Sequence, residues 1–327
     1  QANFSGDNEG AASASTFGRP SGIAIDPVTG KLFVSDSSFH RILRFSSVAA
    51  YQTFAAAEAV LGQPDMTSNF ENQSAQFNQP PTASTLATPY ALAIDGSGRL
   101  WVCDANNHRV LRFDDASNKA SGAAADGVLG QPGFTTKNAA LSQSGLNSPS
   151  GLAIDADGNL WVSDSSNNRV LRYDNAAGKS NGANADGVLG GVDFTTTYGA
   201  FPRTSAMFSI PAGLAIDATG TLWVVDSSLR RILRFDNAAG KSNGAGADAV
   251  LGQPDFETSD TVTPPTAASL REPVSATVDG NGTLWVSDLD NGRVLGFANA
   301  ATLGNAAGAS IVLGQANFVS SAGLATS

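Results

Sequence analysis

Two histidines, His40 and His108, stand at equivalent points of a repeated pattern, and a pair of imidazoles is the beginning of a metal site. Zinc sites draw three or four ligands from the protein, but the matching positions elsewhere hold Asn168, Arg230 and Gly292. The set stops at two, which leaves His40 and His108 as weak metal candidates and no cofactor expected. A second chemistry is offered by five aspartate–arginine pairs: Asp36/Arg41, Asp104/Arg109, Asp164/Arg169, Asp226/Arg231 and Asp288/Arg293. A ring of carboxylates could bind cations. With an arginine set against each, charge-assisted hydrogen bonds that pin a turn or join neighbouring units are the better reading. A residue present in every copy of a repeat serves what every copy needs.

Other motifs fail on inspection. A-G-K-S at 177–180 and 239–242 has the tail of a phosphate loop, but Tyr173 and Phe235 stand where its first glycine belongs. The stretch from Asp174 to Asp186 has about the length of a calcium loop. Its third and fifth positions, Ala176 and Gly178, carry no side-chain oxygen. Cys103 replaces the serine found at Ser35, Ser163 and Ser287, which marks an inert strand thiol. No Ser/His/Asp order with supporting context emerges.

The elements that position these residues come from a repeat of ~62 residues, present five times. Its units begin with P-S-G-L-A-I-D at 149–155, followed by L-W-V-S-D at 160–164, R-V-L-R-Y at 169–173 and G-V-L-G at 187–190. The counterparts open at Pro20, Pro89, Pro211 and Pro273. Each segment is short, β-branched or aromatic, and bounded by Gly, Asn, Asp or Pro, the signature of strands. D-A-D-G-N at 155–159 and D-G-N-G-T at 279–283 supply tight hairpin turns. Four strands per repeat, five times over, predict an all-β, five-bladed β-propeller with four antiparallel strands per blade, six blades being the alternative. The expected organisation is one domain over 1–327. Its repeats run at about 20–88, 89–148, 149–210, 211–272 and 273–327, after a connector-like segment at 1–19. Trp101, Trp161, Trp223 and Trp285 read as packing between blades first and sugar platforms second.

Alternating strand direction puts the turns between second and third strands, and the connectors between blades, on one face. From the glycine of V-L-G to the next opening proline is 27 residues after Gly62, 19 after Gly130, and 21 after Gly190 and Gly252. Variable loops on a rigid scaffold carry binding. The long insert at 65–88, with Phe70, Phe77, Pro80 and Pro81, is therefore the candidate docking surface.

Composition narrows the partners. Hydrophobic residues make up 42% and charged residues 15%, enough for a packed core. A net charge of −10 repels phosphate backbones and anionic membranes, so no nucleic-acid partner is expected. No apolar run approaches the roughly 18 residues that span a bilayer, so no transmembrane segment is expected. A single cysteine excludes an internal disulfide scaffold. Five lysines against many Ala, Ser, Thr, Asn and Gly residues suggest an extracellular or cell-surface protein. Glycosylation sequons stand at Asn3, Asn72 and Asn281.

The motifs P-x-G-[LI]-A-[IV]-D, L-[WF]-V-x-D and N-x-R-[VI]-L-R-[FY] closely resemble those of NHL-repeat β-propellers, over residues 19–318. The V-L-G-Q-P-D-F texture at 60–66 (Met66 last) and 250–256 resembles extracellular bacterial members of that family. The resemblance implies a propeller fold. Family members often have six blades and shorter repeats, from which this chain departs.

The segment Q-A-N-F occurs at 1–4 (Gln1, Ala2, Asn3, Phe4) and at 315–318 (Gln315, Ala316, Asn317, Phe318), in phase with Q-P-D-F at 253–256. A closed ring has one such slot and the chain carries two copies, which makes these residues assembly candidates. The expectation is a non-enzymatic extracellular scaffold or protein-interaction propeller, self-assembling head-to-tail through its terminal Q-A-N-F segments. A carbohydrate- or peptide-binding propeller and a propeller lyase or lactonase are the alternatives.

Overall fold

A computed structural model of the chain describes residues 10–47, 55–76, 78–198 and 202–321. The protein is all-β, a propeller of five blades, each a four-stranded antiparallel sheet with its strands in sequence order. The first blade holds β1 (Pro20–Ile25), β2 (Lys31–Asp36), β3 (Arg41–Ser47) and β4 (Ala59–Leu61). The second holds β5 (Pro89–Ile94), β6 (Leu100–Asp104), β7 (Arg109–Phe113) and β8 (Gly127–Leu129). The third holds β9 (Pro149–Ile154), β10 (Leu160–Asp164), β11 (Arg169–Tyr173) and β12 (Gly187–Leu189). The fourth holds β13 (Pro211–Ile216), β14 (Leu222–Asp226), β15 (Arg231–Phe235) and β16 (Ala249–Leu251). The fifth holds β17 (Pro273–Val278), β18 (Leu284–Asp288), β19 (Arg293–Phe297) and β20 (Ile311–Leu313).

The middle strands are short apolar runs because both of their faces are covered. Every residue of β6, β10 and β14 is buried. The hairpin joining first and second strands turns on a glycine in the left-handed region, as at Gly158 with φ 78°. An aspartate two or more residues before accepts from the turn's own backbone: Asp155 Oδ1 takes the N–H of Asp157 and of Asn159 at 3.0 and 2.9 Å. The glycine of V-L-G has a second constraint. At Gly130, φ is 87° and a Cβ would lie 2.5 Å from Leu146 Cδ1.

The chain packs as two compact units, Gln1–Ile154 with Asn175–Asn184, and Asp155–Asp174 with Ala185–Ser327. In the first, the core between the first two blades joins Phe33, Ile42 and Leu61 of one to Leu86, Leu92 and Ala125 of the next. In the second, the core between the last two blades joins Trp223, Ile232 and Leu251 to Leu270, Ala276 and Ala309. These are the same positions of the repeat.

Polar clamps reinforce each such contact. Arg44 Nη1 donates to the carbonyls of Ala116 and Lys119, Arg112 Nη1 to Ala177, Arg172 Nη1 to Ala239 and Arg234 Nη1 to Leu303. An asparagine from the following blade accepts the N–H of the fourth-strand valine: Asn181 for Val128, Asn243 for Val188 and Asn305 for Val250, all at 3.0 Å.

Candidate functional site: the connector face

The aspartate closing each second strand and the arginine opening each third strand are register partners, and the side chains of all five pairs are shut off from solvent. Their Nε–Oδ2 distances are 3.3, 2.7, 2.7, 3.0 and 2.9 Å along the chain. The guanidinium reaches further than its partner. Nη1 donates to a carbonyl 25 residues downstream, that of Met66, Phe134, Phe194, Phe256 or Phe318. In four blades Nη2 donates to the connector that precedes the blade, at Thr16, Thr85, Met207 and Ser269. The aspartate's other oxygen accepts a connector N–H, from Arg19, Ala87, Ser209 and Arg271 at 2.7–2.9 Å.

Each of these four pairs thus holds two connectors to one blade. Both oxygens of Asp36, Asp104, Asp226 and Asp288 accept hydrogen bonds inside the protein, so these carboxylates do not present themselves as a cation ring. Burial pushes the Asp226 carboxyl up to about 6, against the pull of Arg231, and burial likewise lowers the Arg231 guanidinium.

The histidines share this work. His40 and His108 take left-handed backbone at φ 51° and 52°, between the second and third strands. The Nδ1 of His40 accepts the N–H of Thr88, and that of His108 the N–H of Ser148, both at 3.0 Å. Asn168 does the same with Oδ1 for the N–H of Ile210 at 2.9 Å. Thr88, Ser148 and Ile210 are the last connector residues before a blade-opening proline, and all three have positive φ. An acceptor there fixes the strained residue in place. Burial lowers the pKa of both histidines, partly offset at His40 by Glu71, Asp104 and Asp36 and at His108 by Asp104. Among the described residues, no group of three or more His, Cys, Asp and Glu could hold a metal ion.

A further fastening escaped the reading of motifs: the glutamine after V-L-G. Gln131 and Gln253 each donate from Nε2 to the residue after the second strand's turn (His108, Arg230) and to a connector carbonyl seven residues on (Asn138, Asp260). Each also accepts the N–H of that downstream residue at 3.1 Å. Gln63 and Gln315 donate to the equivalent turn carbonyls. The third blade has Gly191 instead. Its recurrence in four of five copies was the available signal.

The long connector is fixed from several sides. Gln73 Nε2 donates to Gly62 and Ser84 at 3.2 and 2.8 Å, and Asn72 Nδ2 to Asn107 Oδ1 at 3.1 Å. Phe70 is left 53% exposed, Pro80 is exposed and Pro81 is buried. Phe70, Glu71, Gln76 and Gln79 help line a shallow hollow of about 190 Å³. Phe77 lies outside the described residues, as do Gln1, Ala2, Asn3 and Phe4.

The second Q-A-N-F segment is seated on its own blade. Asn317 Oδ1 accepts the N–H of Val319 and of Ser320 at 3.0 Å, the turn that Asp65 and Asp255 make in theirs. Phe318 packs against the last core and its carbonyl receives Arg293. Asn72 is buried with its amide engaged, which leaves no room for a glycan, whereas Asn281 is exposed. Trp101, Trp161 and Trp223 are at most 2% exposed, which removes them as sugar platforms. Cys103 is buried, and burial raises its thiol pKa well above the usual value, as expected of an inert thiol.

Fold and repeat together define a class: a five-bladed β-propeller, each blade fastened by a buried Asp–Arg pair. Residues 146–173 match the NHL repeat family and residues 15–118 the Teneurin NHL domain, so the chain resembles NHL-repeat β-propellers over those residues. It is 24% identical to mouse Teneurin-3 over 289 residues, 83% of this chain and 10% of that protein. Mouse NHL repeat-containing protein 3 is 25% identical over 173 residues, 49% of this chain and 43% of that one. The chain thus spans about a tenth of the teneurin it matches and less than half of the second relative. A chain in the crystal structure of a Nidogen/Laminin complex shares the fold with TM-score 0.54 and 18% identity, over 90% of this chain and 80% of that chain. No helix among the described residues is long and apolar enough to cross a membrane.

Proposed function

We propose that this chain is a non-enzymatic, extracellular protein-interaction scaffold, acting as one propeller domain over 1–327 and presenting its connector face to a protein partner. The observation that carries the reading is the 65–88 insert. It is the longest connector, it is fastened to the first blade by Gln73 and Arg41 and to the second by Asn72, and it still leaves Phe70 half exposed beside a hollow. An aromatic held rigidly on a surface is the kind of anchor protein interfaces use, because little side-chain freedom remains to be lost on binding. The match of residues 15–118 to the Teneurin NHL domain and the fold shared with a chain of a Nidogen/Laminin complex support the same reading.

Binding of the immobilised protein to a panel of extracellular proteins, repeated with Phe70→Asp, tests it. A protein ligand that Phe70→Asp loses, with the melting temperature unchanged, is the expected result. Binding that appears only on a glycan array, or protein binding indifferent to Phe70→Asp, would overturn it. Self-association belongs to the same reading, and Asn281, exposed on a hairpin turn, is the described sequon open to a glycan.

A further inference from the structure

The connector after the first blade departs from its counterparts at a point where three of them are fastened alike. The glutamine after V-L-G reaches seven residues down its connector, to the carbonyls of Asn138 and Asp260 after the second and fourth blades. Gln63 makes the same bond, at 2.8 Å, to the carbonyl of Phe70. The fastening is shared and the side chain is not: a polar residue stands there twice, and an aromatic ring here. The carbonyl of Phe70 is held again by the N–H of Gln73 at 3.0 Å, and the N–H of Asn72 donates to Leu86 at 3.0 Å. Asn72 and Gln73 take left-handed backbone at φ 50° and 58°. Two such residues in a row carry a conformational cost that the surrounding bonds must offset. The turn they form leaves Phe70 53% exposed.

The hollow beside the ring carries one sign of charge. Glu71 lines it together with Gln76, Asn78 and Gln79, and the whole insert at 65–88 holds Asp65 and Glu71 but no lysine or arginine. Among the described residues, the Glu71 carboxylate enters no salt bridge. Its electrostatic neighbour is His40. Burial lowers the pKa of that ring below the ordinary 6.5, so at about pH 7 it is neutral and supplies no counter-charge. The hollow measures about 190 Å³. Sites that enclose a whole small molecule run to roughly 300–1,000 Å³, so this one suits a single side chain.

We infer that the hollow seats an arginine side chain of a basic protein partner, its guanidinium laid against Phe70 and paired with Glu71. This rests on the partner-binding reading above and names the chemistry of the partner. A guanidinium is planar, stacks on aromatic faces and is weakly hydrated, so it meets a ring and a carboxylate together at modest desolvation cost. Its five N–H donors also suit the amides of the hollow. Gln79 Nε2 donates to Gln76 Oε1 at 3.2 Å, which keeps the side-chain oxygen of Gln79 for a donor from outside. The net charge of −10 draws basic surfaces over a longer range. A neutral sugar could stack on the ring but would leave the charge of the carboxylate uncompensated.

Titration of the isotope-labelled full chain with N-acetyl-arginine amide tests the proposal, read from the backbone amide resonances of Phe70, Glu71, Gln76 and Gln79. Saturable shifts at millimolar concentration are expected, with the corresponding lysine compound several-fold weaker and the leucine compound without effect. Glu71→Gln weakens the arginine compound about fivefold, the upper end for an exposed ion pair, and removes its dependence on salt. Phe70→Leu keeps an apolar side chain but loses the ring, and weakens it by about two- to fivefold. Both sites lie at the surface, so melting temperatures stay as in the unsubstituted protein. Absent shifts, equal shifts with the lysine or leucine compound, or shifts indifferent to Glu71→Gln overturn the inference. Saturable shifts with methyl glycosides in place of the arginine compound overturn it in favour of a sugar. The partner-binding reading fails separately. A protein ligand lost with Phe70→Asp but bound equally well by Glu71→Gln supports that reading and sinks this one.

Discussion

Asp164 Oδ2 and Arg169 Nε face each other at 2.7 Å across the second hairpin of the third blade, with no solvent reaching either side chain. The same guanidinium holds the carbonyl of Phe194, so the pair is a hub between a blade and its connector. Removing one partner strands a buried charge, and Asp164→Ala or Arg169→Ala is expected to cost about 3–5 kcal/mol by urea unfolding. Replacing both by apolar residues would be nearly neutral for an isolated ion pair. Here the orphaned connector carbonyl keeps the cost of Asp164→Leu/Arg169→Met at about 1–3 kcal/mol. A neutral double variant would contradict the hub role.

A pH dependence follows from the histidines. His40 and His108 accept backbone N–H groups at Nδ1, which a protonated ring that donates from both nitrogens cannot do. Their folded pKa values lie below the ordinary value near 6.5. As pH falls, the unfolded chain therefore takes up these protons first. The stability the neutral rings contribute is complete above about 6.5 and is lost as pH falls through the lower folded values. The double variant His40→Asn/His108→Asn, copying Asn168, is expected to flatten the slope of stability between about pH 5 and 7. Asp226, pushed up to about 6, titrates in that window with the opposite sign. The measurement is therefore the difference between variant and unsubstituted protein in urea unfolding at each pH.

The connector glutamines set up an asymmetric exchange. Gln253 makes hydrogen bonds at both ends of its amide, and Gln253→Ala leaves the N–H of Asp260 and the carbonyl of Arg230 without it. A loss of about 1–3 kcal/mol is expected, with faster amide exchange confined to the connector after β16. The reverse change in the third blade does not restore a missing bond. A Cβ at Gly191 would lie 2.4 Å from the carbonyl oxygen of Thr196, so Gly191→Gln is expected to destabilise. Melting temperatures of the two variants check both directions.

The clamp from Arg112 to the carbonyl of Ala177, at 2.7 Å, also stacks the guanidinium over Trp101, 5.9 Å from its ring centroid. Arg112→Ala removes a hydrogen bond to a charged donor and a cation–π contact. The expected cost is about 2–4 kcal/mol by urea unfolding. Arg112→Lys recovers little of it, because an ammonium has no planar face to lay on the indole.

The repeat made much of this protein legible in advance. Five copies of the same spacing predict the strand order, the hairpin turns and the pairing of each aspartate with its arginine, since neighbours within a blade are neighbours in sequence. Two residues show where that legibility stops. His108 reads as half a metal site until its Nδ1 is found against Ser148, forty residues away. Asn72 reads as a glycan acceptor until it is found buried against Asn107. Both depend on the path of a connector, which no local pattern of residues dictates.

The sequence alone determined the blade: which residues form strands, which pair, and that every blade carries an Asp–Arg hub. Only the tertiary structure decided what lies against each blade. Asn72 and Asn281 carry the same sequon, yet one is buried and the other open to solvent. The physical reason is that a strand's pairing is encoded in its own residues and turns, whereas its burial is a property of whatever stacks upon it.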